Sequence, residues 1–137
     1  MIADESSNDA VIIAVRPALR NDELNDLFHT SWSEHEPIDF KPILNRSLAW
    51  IAAYREEYLV GFVNVVGDGG IHAIILDAVV RPSERGRGIG RRLMCTAIEE
   101  SKKRGVRVLH VDYEPGLEHF YTRCGFRTIS GGLMRFS

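Results

Sequence analysis

The segment 81–92, with the sequence RPSERGRGIGRR, constrains this chain more than any other part of it. It places five arginines and three glycines between an apolar run and a stretch of helical periodicity. A helix N-terminus already carries roughly half a positive charge, so each cationic side chain there costs about 0.3–1 kcal/mol. Glu84 alone cannot offset Arg85, Arg87, Arg91 and Arg92. Because glycines admit a close ligand and the first helical N–H groups point outward, the pattern predicts a pyrophosphate cradle.

Length and composition predict one domain over residues 1–137, with 45% hydrophobic and 26% charged residues. The net charge of −2 argues against a nucleic-acid partner. Cys95 and Cys124 fit no metal spacing and no disulfide framework, so we expect reduced thiols, no metal and a cytoplasmic protein. The apolar run 11–15 is too short for a signal sequence or a membrane span, so no membrane partner is expected.

Hydrophobic periodicity predicts alternating strands and helices along the chain. Predicted strands cover 11–16, 48–54, 58–66, 71–80, 106–111, 126–129 and 133–136, the last two around a Gly-Gly pair. A first helix is capped by Asn21, a second runs from Ile89 to a stop at Gly105, and a short third covers 117–123. Residues 30–45 are predicted to be a loop with short helical pieces. The order strand, helix, strand over 74–111 predicts a parallel pair with a right-handed crossover.

Residues 86–91, called the glycine turn below, fit neither of two common phosphate loops. A Walker loop requires GxxxxGK[ST], and no lysine follows these glycines. A dinucleotide fold requires GxGxxG directly after a strand. Here five residues, 81–85, separate the predicted strand from Gly86, and Arg91 stands where the third glycine would be. The turn therefore belongs to another class of anion site.

Arg85, Gly88 and Gly90 form the pattern Arg-x-x-Gly-x-Gly, which resembles the acetyl-coenzyme A loop of the GNAT superfamily of N-acetyltransferases. AVVRP at 78–82, the helix and parallel strand that follow, and FYTRCGF at 120–126, similar to the family's Tyr-x-x-x-Gly-Phe, agree with it. The resemblance covers 74–126. It implies an α/β (α+β) fold: a central, mostly antiparallel twisted sheet of six to seven strands with a parallel fourth and fifth pair, flanked by helices.

The resemblance also implies acetyl-coenzyme A (acetyl-CoA) as a cosubstrate, and it implies which residues hold it. The pantetheine arm would bond to the backbone of the fourth strand as an added strand would. The pyrophosphate would meet the amides of 86–91, with arginine side chains adding charge. The implied cofactor-binding residues are Ala78, Val79, Val80, Arg85, Gly86, Arg87, Gly88, Ile89, Gly90 and Arg91. One departure is Glu114, which stands where the family often has an asparagine that touches the cofactor.

Acetyl transfer requires a neutral amine, stabilisation of a developing oxyanion and protonation of the thiolate leaving group. Tyr121 matches the family's tyrosine and is the candidate acid, because a phenol with pKa about 10 is protonated at neutral pH. The backbone N–H near Val80 would face the thioester oxygen. Asp77 is the candidate base. Other groups that could accept the proton are His110, Asp112, Glu114, His72, Glu34, His35 and a chain of waters.

These features predict an acetyl-CoA dependent N-acetyltransferase that acts on a primary amine of a small molecule or protein, without a covalent enzyme intermediate. Two other readings stay open: a non-catalytic acyl-CoA sensor, and an RNA-facing or protein-facing domain that uses the arginines as an anion patch. No motif in residues 30–45 identifies the amine that accepts the acetyl group. Homodimers are common in the family, so a homodimer is open as well.

Overall fold

A computed structural model describes residues 10–137 of the chain as one five-stranded sheet with helices on both faces. The strands are β1 (Val11–Val15), β2 (Ala49–Arg55), β3 (Tyr58–Gly67), β4 (His72–Val80) and β5 (Val108–Val111). The helices are α1 (Asn21–Ser31), α2 (Lys41–Arg46), α3 (Ile89–Lys103) and α4 (Glu118–Arg123), with one 3₁₀ turn at Pro82–Glu84. The polar residues 1–9 lie outside the described part.

The sheet confirms the predicted fold class. Its order is β1-β2-β3-β4-β5, with three antiparallel pairings followed by a parallel pairing of β4 with β5. Helix α3 makes the crossover between the two parallel strands. The strand count differs from the prediction, since residues 10–137 form five strands rather than six or seven.

Two apolar clusters fill the two faces of the sheet. Leu93, Met94 and Ala97 of α3 pack with Val63 and Val65 on one face. The other cluster joins α1 to the opposite face through Leu24, Leu27, Phe28, Phe40 and Phe62. Side chains alternate between the faces along β3, so this central strand is buried on both sides and contributes to both clusters.

A glycine with positive φ flanks helix α3 at each end. Gly88 lies before the first helical residue with φ of 83°, and Gly105 follows the last turn with φ of 91°. Both angles belong to the left-handed region that glycine adopts without steric cost. The predicted helix from Ile89 to a stop at Gly105 is therefore confirmed.

Two local predictions are wrong. Asn21 is the first helical residue of α1 rather than its cap, because its side chain bonds instead to Asp39 Oδ1 at 3.0 Å and Phe40 N at 2.9 Å. The segments 126–129 and 133–136 form no strands, and residues 127–137 lie exposed without regular structure. β-propensity alone does not make a strand, because each strand needs a hydrogen-bonding neighbour.

The parallel pair separates part of the way along β4. Pairing with β5 covers His72 to Ile75 only, so β4 continues for five further residues without a neighbour on that side. On its other side the register with β3 shifts between Phe62 and Asn64, where β4 has one extra residue. This bulge contains Asp77, whose φ of 54° is unusual for a residue with a side chain.

Candidate active site

A cavity of about 540 Å³ opens where the glycine turn, the start of α3 and helix α4 meet. Its lining includes seven of the predicted cofactor-binding residues: Val80, Arg85, Gly86, Gly88, Ile89, Gly90 and Arg91. The far wall comes from α4 and residues on either side of it, namely Gly116, His119, Phe120, Arg123 and Cys124. Ala78, Val79 and Arg87 do not line it. The structure therefore brings most of the predicted set together around one opening.

The backbone of the glycine turn presents unused donors. Gly86 has φ of 78° and Gly88 φ of 83°, and a Cβ built on either would meet no atom within 4 Å. Five N–H groups have no acceptor among residues 10–137: those of Gly86, Gly88, Ile89, Gly90 and Arg91. Such a run of amides at a helix N-terminus binds anions. The open space beside both glycines leaves room for one.

Two of the five arginines in this segment serve the fold instead. The buried Arg81 donates from Nη2 to Leu59 O at 2.9 Å, pairs with Asp26 at 3.1 Å and lies over the Tyr58 ring. Arg92 donates to Val11 O at 2.9 Å and so ties the start of α3 to β1. The charge that an anion has to balance is thus smaller than a count of arginines suggests.

Glu84 holds the turn in place from within the 3₁₀ segment. Its carboxylate accepts two bonds from Arg55, at 2.9 Å from Nε and 2.8 Å from Nη2, and lies 3.8 Å from Arg87. The Arg55 guanidinium holds the pKa of Glu84 below its ordinary value, with smaller contributions from Arg87 and Arg81. Glu84 therefore fixes the turn to the end of β2.

The open edge of β4 reaches the same cavity at its last residue, Val80. The Arg81 N–H donates to Val60 O on β3 at 2.8 Å, so the preceding residue, Val80, directs its backbone groups to the opposite side. There the Val80 carbonyl accepts from Arg85 Nε at 3.2 Å, and Arg85 Nη2 donates to Ser31 Oγ at 2.9 Å. The Arg85 side chain thus spans from the glycine turn across the strand edge to the end of α1.

Asp77 lies at the bulge on the solvent-accessible side of β4. Desolvation raises the pKa of its carboxyl, and the nearby His35 opposes that shift. His35 is itself held by Asn25, whose Oδ1 accepts from Nε2 at 2.8 Å and from the Ile38 N–H at 3.0 Å. A carboxyl with a raised pKa beside the open strand edge has the properties of a proton acceptor.

The ring of Tyr121 belongs to the core, with the residue 6% exposed. It stacks on Tyr113 with 4.7 Å between centroids and meets Phe126 edge-on at 5.9 Å. Burial raises the pKa of its phenol, so it stays protonated at neutral pH. Within residues 10–137 only Asn64 has buried side-chain polar atoms without a partner, so the unbonded Tyr121 hydroxyl reaches solvent-accessible space.

Four of the other candidate bases lie away from Asp77. His72 Nδ1 and His110 Nε2 are 3.0 Å apart on the paired ends of β4 and β5. His72 is eight residues before Val80, which is roughly 25 Å along a strand. Asp112 and Glu114 follow the end of β5 and are exposed. Asp77 is thus the predicted base that lies on the unpaired part of β4.

Sequence reasoning missed several residues of this region. His119 and Arg123 line the cavity, and the spacing 119, 120, 123 on one helix face was the available signal. Asn64 on β3 is buried with no partner for either amide atom among residues 10–137, and no pattern indicated it. No helix in that part of the chain is long and apolar enough to cross a membrane. No group of three or more metal-ligating side chains occurs there.

Comparison with known proteins places these features in context. The family model described as acetyltransferase (GNAT) family matches residues 13–126. An uncharacterised N-acetyltransferase ycf52 of Gracilaria tenuistipitata var. liui is 28% identical over 58% of this chain, which spans only 43% of that protein. The chloroplastic GCN5-related N-acetyltransferase 1 of Arabidopsis thaliana is 28% identical over 96% of this chain and 70% of its own length.

The fold recurs in solved structures. AAC(6')-Iy, solved with the bisubstrate analogue CoA-S-monomethyl-acetylneamine, superposes with a TM-score of 0.76 at 18% identity. The match covers 93% of this chain and 97% of that one. At this level of identity the similarity concerns the fold alone.

Proposed function

Because this chain belongs to the GNAT acetyltransferase family, we propose that it transfers an acetyl group from acetyl-CoA to a primary amine of a small molecule or a protein. One observation carries the proposal. The five unpaired N–H groups of the glycine turn and Val80, at the end of the unpaired edge of β4, lie at one cavity. An anion-binding turn beside an unfilled strand edge suits a ligand with a diphosphate at one end and an amide-containing arm at the other.

The residues fit coenzyme A at its charged end. A Cβ on Gly86 or Gly88 would project into open space, so both positions leave room that a diphosphate would fill. Arg91 of the turn and Arg123 of α4 line the cavity from two sides and add positive charge. Ala78 and Val80 offer backbone groups along the arm, whereas Val79 pairs with Phe62 of β3. Arg87 adds charge from outside the lining.

Acetyl-CoA supplies the activated acyl thioester. The residues of this chain stabilise the developing negative charge and transfer the protons. The Val80 N–H points to the open side of β4 and is the donor that we assign to the developing oxyanion. Asp77 accepts a proton from the amine, directly or through water. The Tyr121 hydroxyl is assigned to protonate the thiolate, whose parent thiol has a pKa near 8.5. No covalent enzyme intermediate is needed.

A second candidate function is an acyl-CoA sensor without turnover. Two contacts favour it. The Tyr121 ring is packed within the core, and Arg85 Nε donates to the Val80 carbonyl at 3.2 Å, so this acceptor on the strand edge is already used. A sensor requires the glycine turn but not the acid or the base. The two functions therefore differ in whether bound acetyl-CoA is consumed.

The experiment is a thiol-release assay with acetyl-CoA and a panel of amines, polyamines, aminoglycosides and peptides. An enzyme releases free thiol with at least one acceptor, above the rate without any amine. Calorimetric binding of CoA with no thiol release from any acceptor would support the sensor, and no binding would refute both functions.

Replacing Tyr121 by Phe tests the acid. The hydroxyl has no hydrogen-bond partner in the described residues, so its loss leaves stability nearly unchanged. We expect kcat to fall by about 10²–10⁴-fold with KM nearly constant. Tyr58→Phe, an exposed tyrosine outside the cavity lining, is the matched control. Turnover equal to wild type in Tyr121→Phe would remove the acid assignment.

A further inference from the structure

His35 is partly buried in the loop that joins α1 to α2. Its ring packs against Phe28 of α1, with 5.4 Å between the ring centroids. Phe28 in turn contacts the ring of Phe62 on β3 at 5.9 Å, and Phe62 pairs with Val79 of β4. This chain of contacts fixes His35 over the face of the sheet where β4 bulges at Asp77.

The side-chain amide of Asn25 determines which ring nitrogen of His35 carries a proton. Asn25 Nδ2 donates to the carbonyls of Asn21 and Ile38, both at 2.9 Å, and Oδ1 accepts from the Ile38 N–H at 3.0 Å. Because a carbonyl only accepts and a backbone N–H only donates, these three bonds fix the orientation of the amide. In the fourth contact, 2.8 Å between Oδ1 and His35 Nε2, the nitrogen is therefore the donor.

The neutral form of His35 thus has its proton on Nε2 and a lone pair on Nδ1. Nδ1 has no hydrogen-bond partner among residues 10–137, so its lone pair is available to a proton. When Nδ1 is protonated, Nε2 still donates to Asn25, so the ring keeps its position in both charge states. Asn25 therefore leaves Nδ1 as the basic atom of this side chain.

Asp77 is the candidate catalytic group that interacts with this ring. A positive charge on His35 lowers the pKa of the Asp77 carboxyl, against the larger rise caused by desolvation. The other charged or titratable groups on the second half of α1, on the loop and at the start of α2 are Asp26, His29, Glu34, Glu36, Asp39 and Lys41. None of these six lies on β4, whose unpaired part carries Asp77.

We propose that His35 is the second proton acceptor of the acetyl transfer and that Asn25 is the residue that positions it. This inference rests on the proposed function. The amine gives one proton to the Asp77 carboxylate, so an N–H bond breaks and an O–H bond forms. The proton then passes, directly or through water, to the lone pair of His35 Nδ1, which restores the carboxylate and leaves an imidazolium. The partly exposed ring releases the proton to solvent, and both groups return to their starting states.

The variant His35→Gln tests the acceptor. A glutamine amide can place an N–H where His35 has Nε2 and so keep the bond to Asn25 Oδ1, but it carries no basic atom. With acetyl-CoA and the most active amine of the panel, we expect kcat to fall by about 10²-fold, with the affinity for CoA unchanged. The acidic limb of the pH–rate profile should change shape, because one titrating group is lost. The control His29→Gln, on the exposed side of α1, should match the wild type.

Long-range ¹H–¹⁵N NMR of the imidazole rings tests the positioning role without turnover. Neutral His35 should be a single tautomer with the proton on Nε2. The variant Asn25→Leu should show a mixture of tautomers at His35, with the signals of His29 unchanged. A proton fixed on Nδ1 in the wild type, or an unchanged single tautomer in Asn25→Leu, would overturn the inference.

The kinetic outcomes separate this inference from the proposed function. Turnover and a pH–rate profile equal to wild type in His35→Gln would overturn the inference and leave the acetyl transfer standing. The same loss of kcat at every pH would show a structural role for His35 and would overturn the inference equally. No thiol release by the wild type with any amine would instead refute the proposed function, and the inference with it.

Discussion

The ion pair between Arg55 and Glu84 anchors the glycine turn, so its removal has a defined cost. Arg55 donates two bonds at 2.9 and 2.8 Å, and the two side chains are 24% and 11% exposed. Glu84→Gln keeps the shape of the side chain and removes its charge. The variant leaves a partly buried guanidinium facing a neutral amide at the point where the turn meets β2.

The magnitude follows from burial. Hydrogen bonds to charged groups contribute about 1.5–3 kcal/mol, and breaking a fully buried pair costs about 3–5 kcal/mol. Because about a quarter of the Arg55 side chain is exposed, we expect the free energy of unfolding at pH 7 to fall by about 2 kcal/mol. For a domain of this size that loss corresponds to a decrease in Tm of roughly 5–10 °C.

The pH dependence has a definite sign. Arg55 lowers the pKa of Glu84 in the folded state below that in the unfolded chain, which is near 4.3. The stabilisation is therefore complete above the unfolded pKa and is lost as the pH falls through the folded pKa. The difference in unfolding free energy between wild type and Glu84→Gln should be constant from pH 6 to 8 and should shrink in acid.

Urea denaturation at several pH values measures this difference, with Glu99→Gln on the exposed face of α3 as the control. A double-mutant cycle with Arg55→Met isolates the pair from other effects of each substitution. The affinity for CoA should fall as well, since the turn is no longer held. A stability change at pH 7 below about 0.5 kcal/mol, the level of an exposed pair, would refute the reasoning.

Four further substitutions test the site and the core. Asp77→Asn should lower kcat by about 10²–10⁴-fold. It should not reduce stability at pH 7, because the raised pKa of Asp77 means that its ionised form is disfavoured in the fold. Equal pH–rate profiles for the variant and the wild type would exclude Asp77 as the base. Gly61→Ala should cost about 1–3 kcal/mol in urea denaturation, since its Cβ would lie 2.8 Å from Leu93 Cδ1, and an unchanged midpoint would contradict this packing. Arg81→Met should lower stability and leave the affinity for CoA unchanged. The matched variant Arg91→Met should lower the affinity for CoA and leave stability unchanged. The reverse pattern would contradict the roles assigned to the two arginines.

The elements that the sequence predicted well are those with local signals. Helix α3 carries apolar residues at helical spacing, begins after Gly88 and stops at Gly105, and the parallel pair follows from the order of strand, helix and strand. The segment 126–136 misled the prediction because its β-propensity is as strong as that of a paired strand. Only a neighbour makes such a segment a strand, and propensity does not supply one.

The site was predicted in outline because its donors are consecutive in the chain. What the sequence did not reveal are contacts between distant residues. Arg55 and Glu84 are 29 positions apart, and Arg85 and Ser31 are 54 apart. Counting charges also overstated the positive field, since Arg81 and Arg92 donate to backbone carbonyls and stabilise the fold. Charge counting cannot distinguish a ligand-binding arginine from one that binds a carbonyl.

The binding of CoA to the glycine turn is tested most directly by calorimetry on two matched variants. Gly88 and Gly69 have φ of 83° and 87°, and a Cβ at either meets nothing within 4 Å, so substitution by Glu imposes the same backbone strain at both positions. Only Gly88 lines the cavity. We predict that wild type and Gly69→Glu bind CoA with equal affinity and that Gly88→Glu gives no binding heat. Equal binding by both variants, or none by the wild type, would contradict the account.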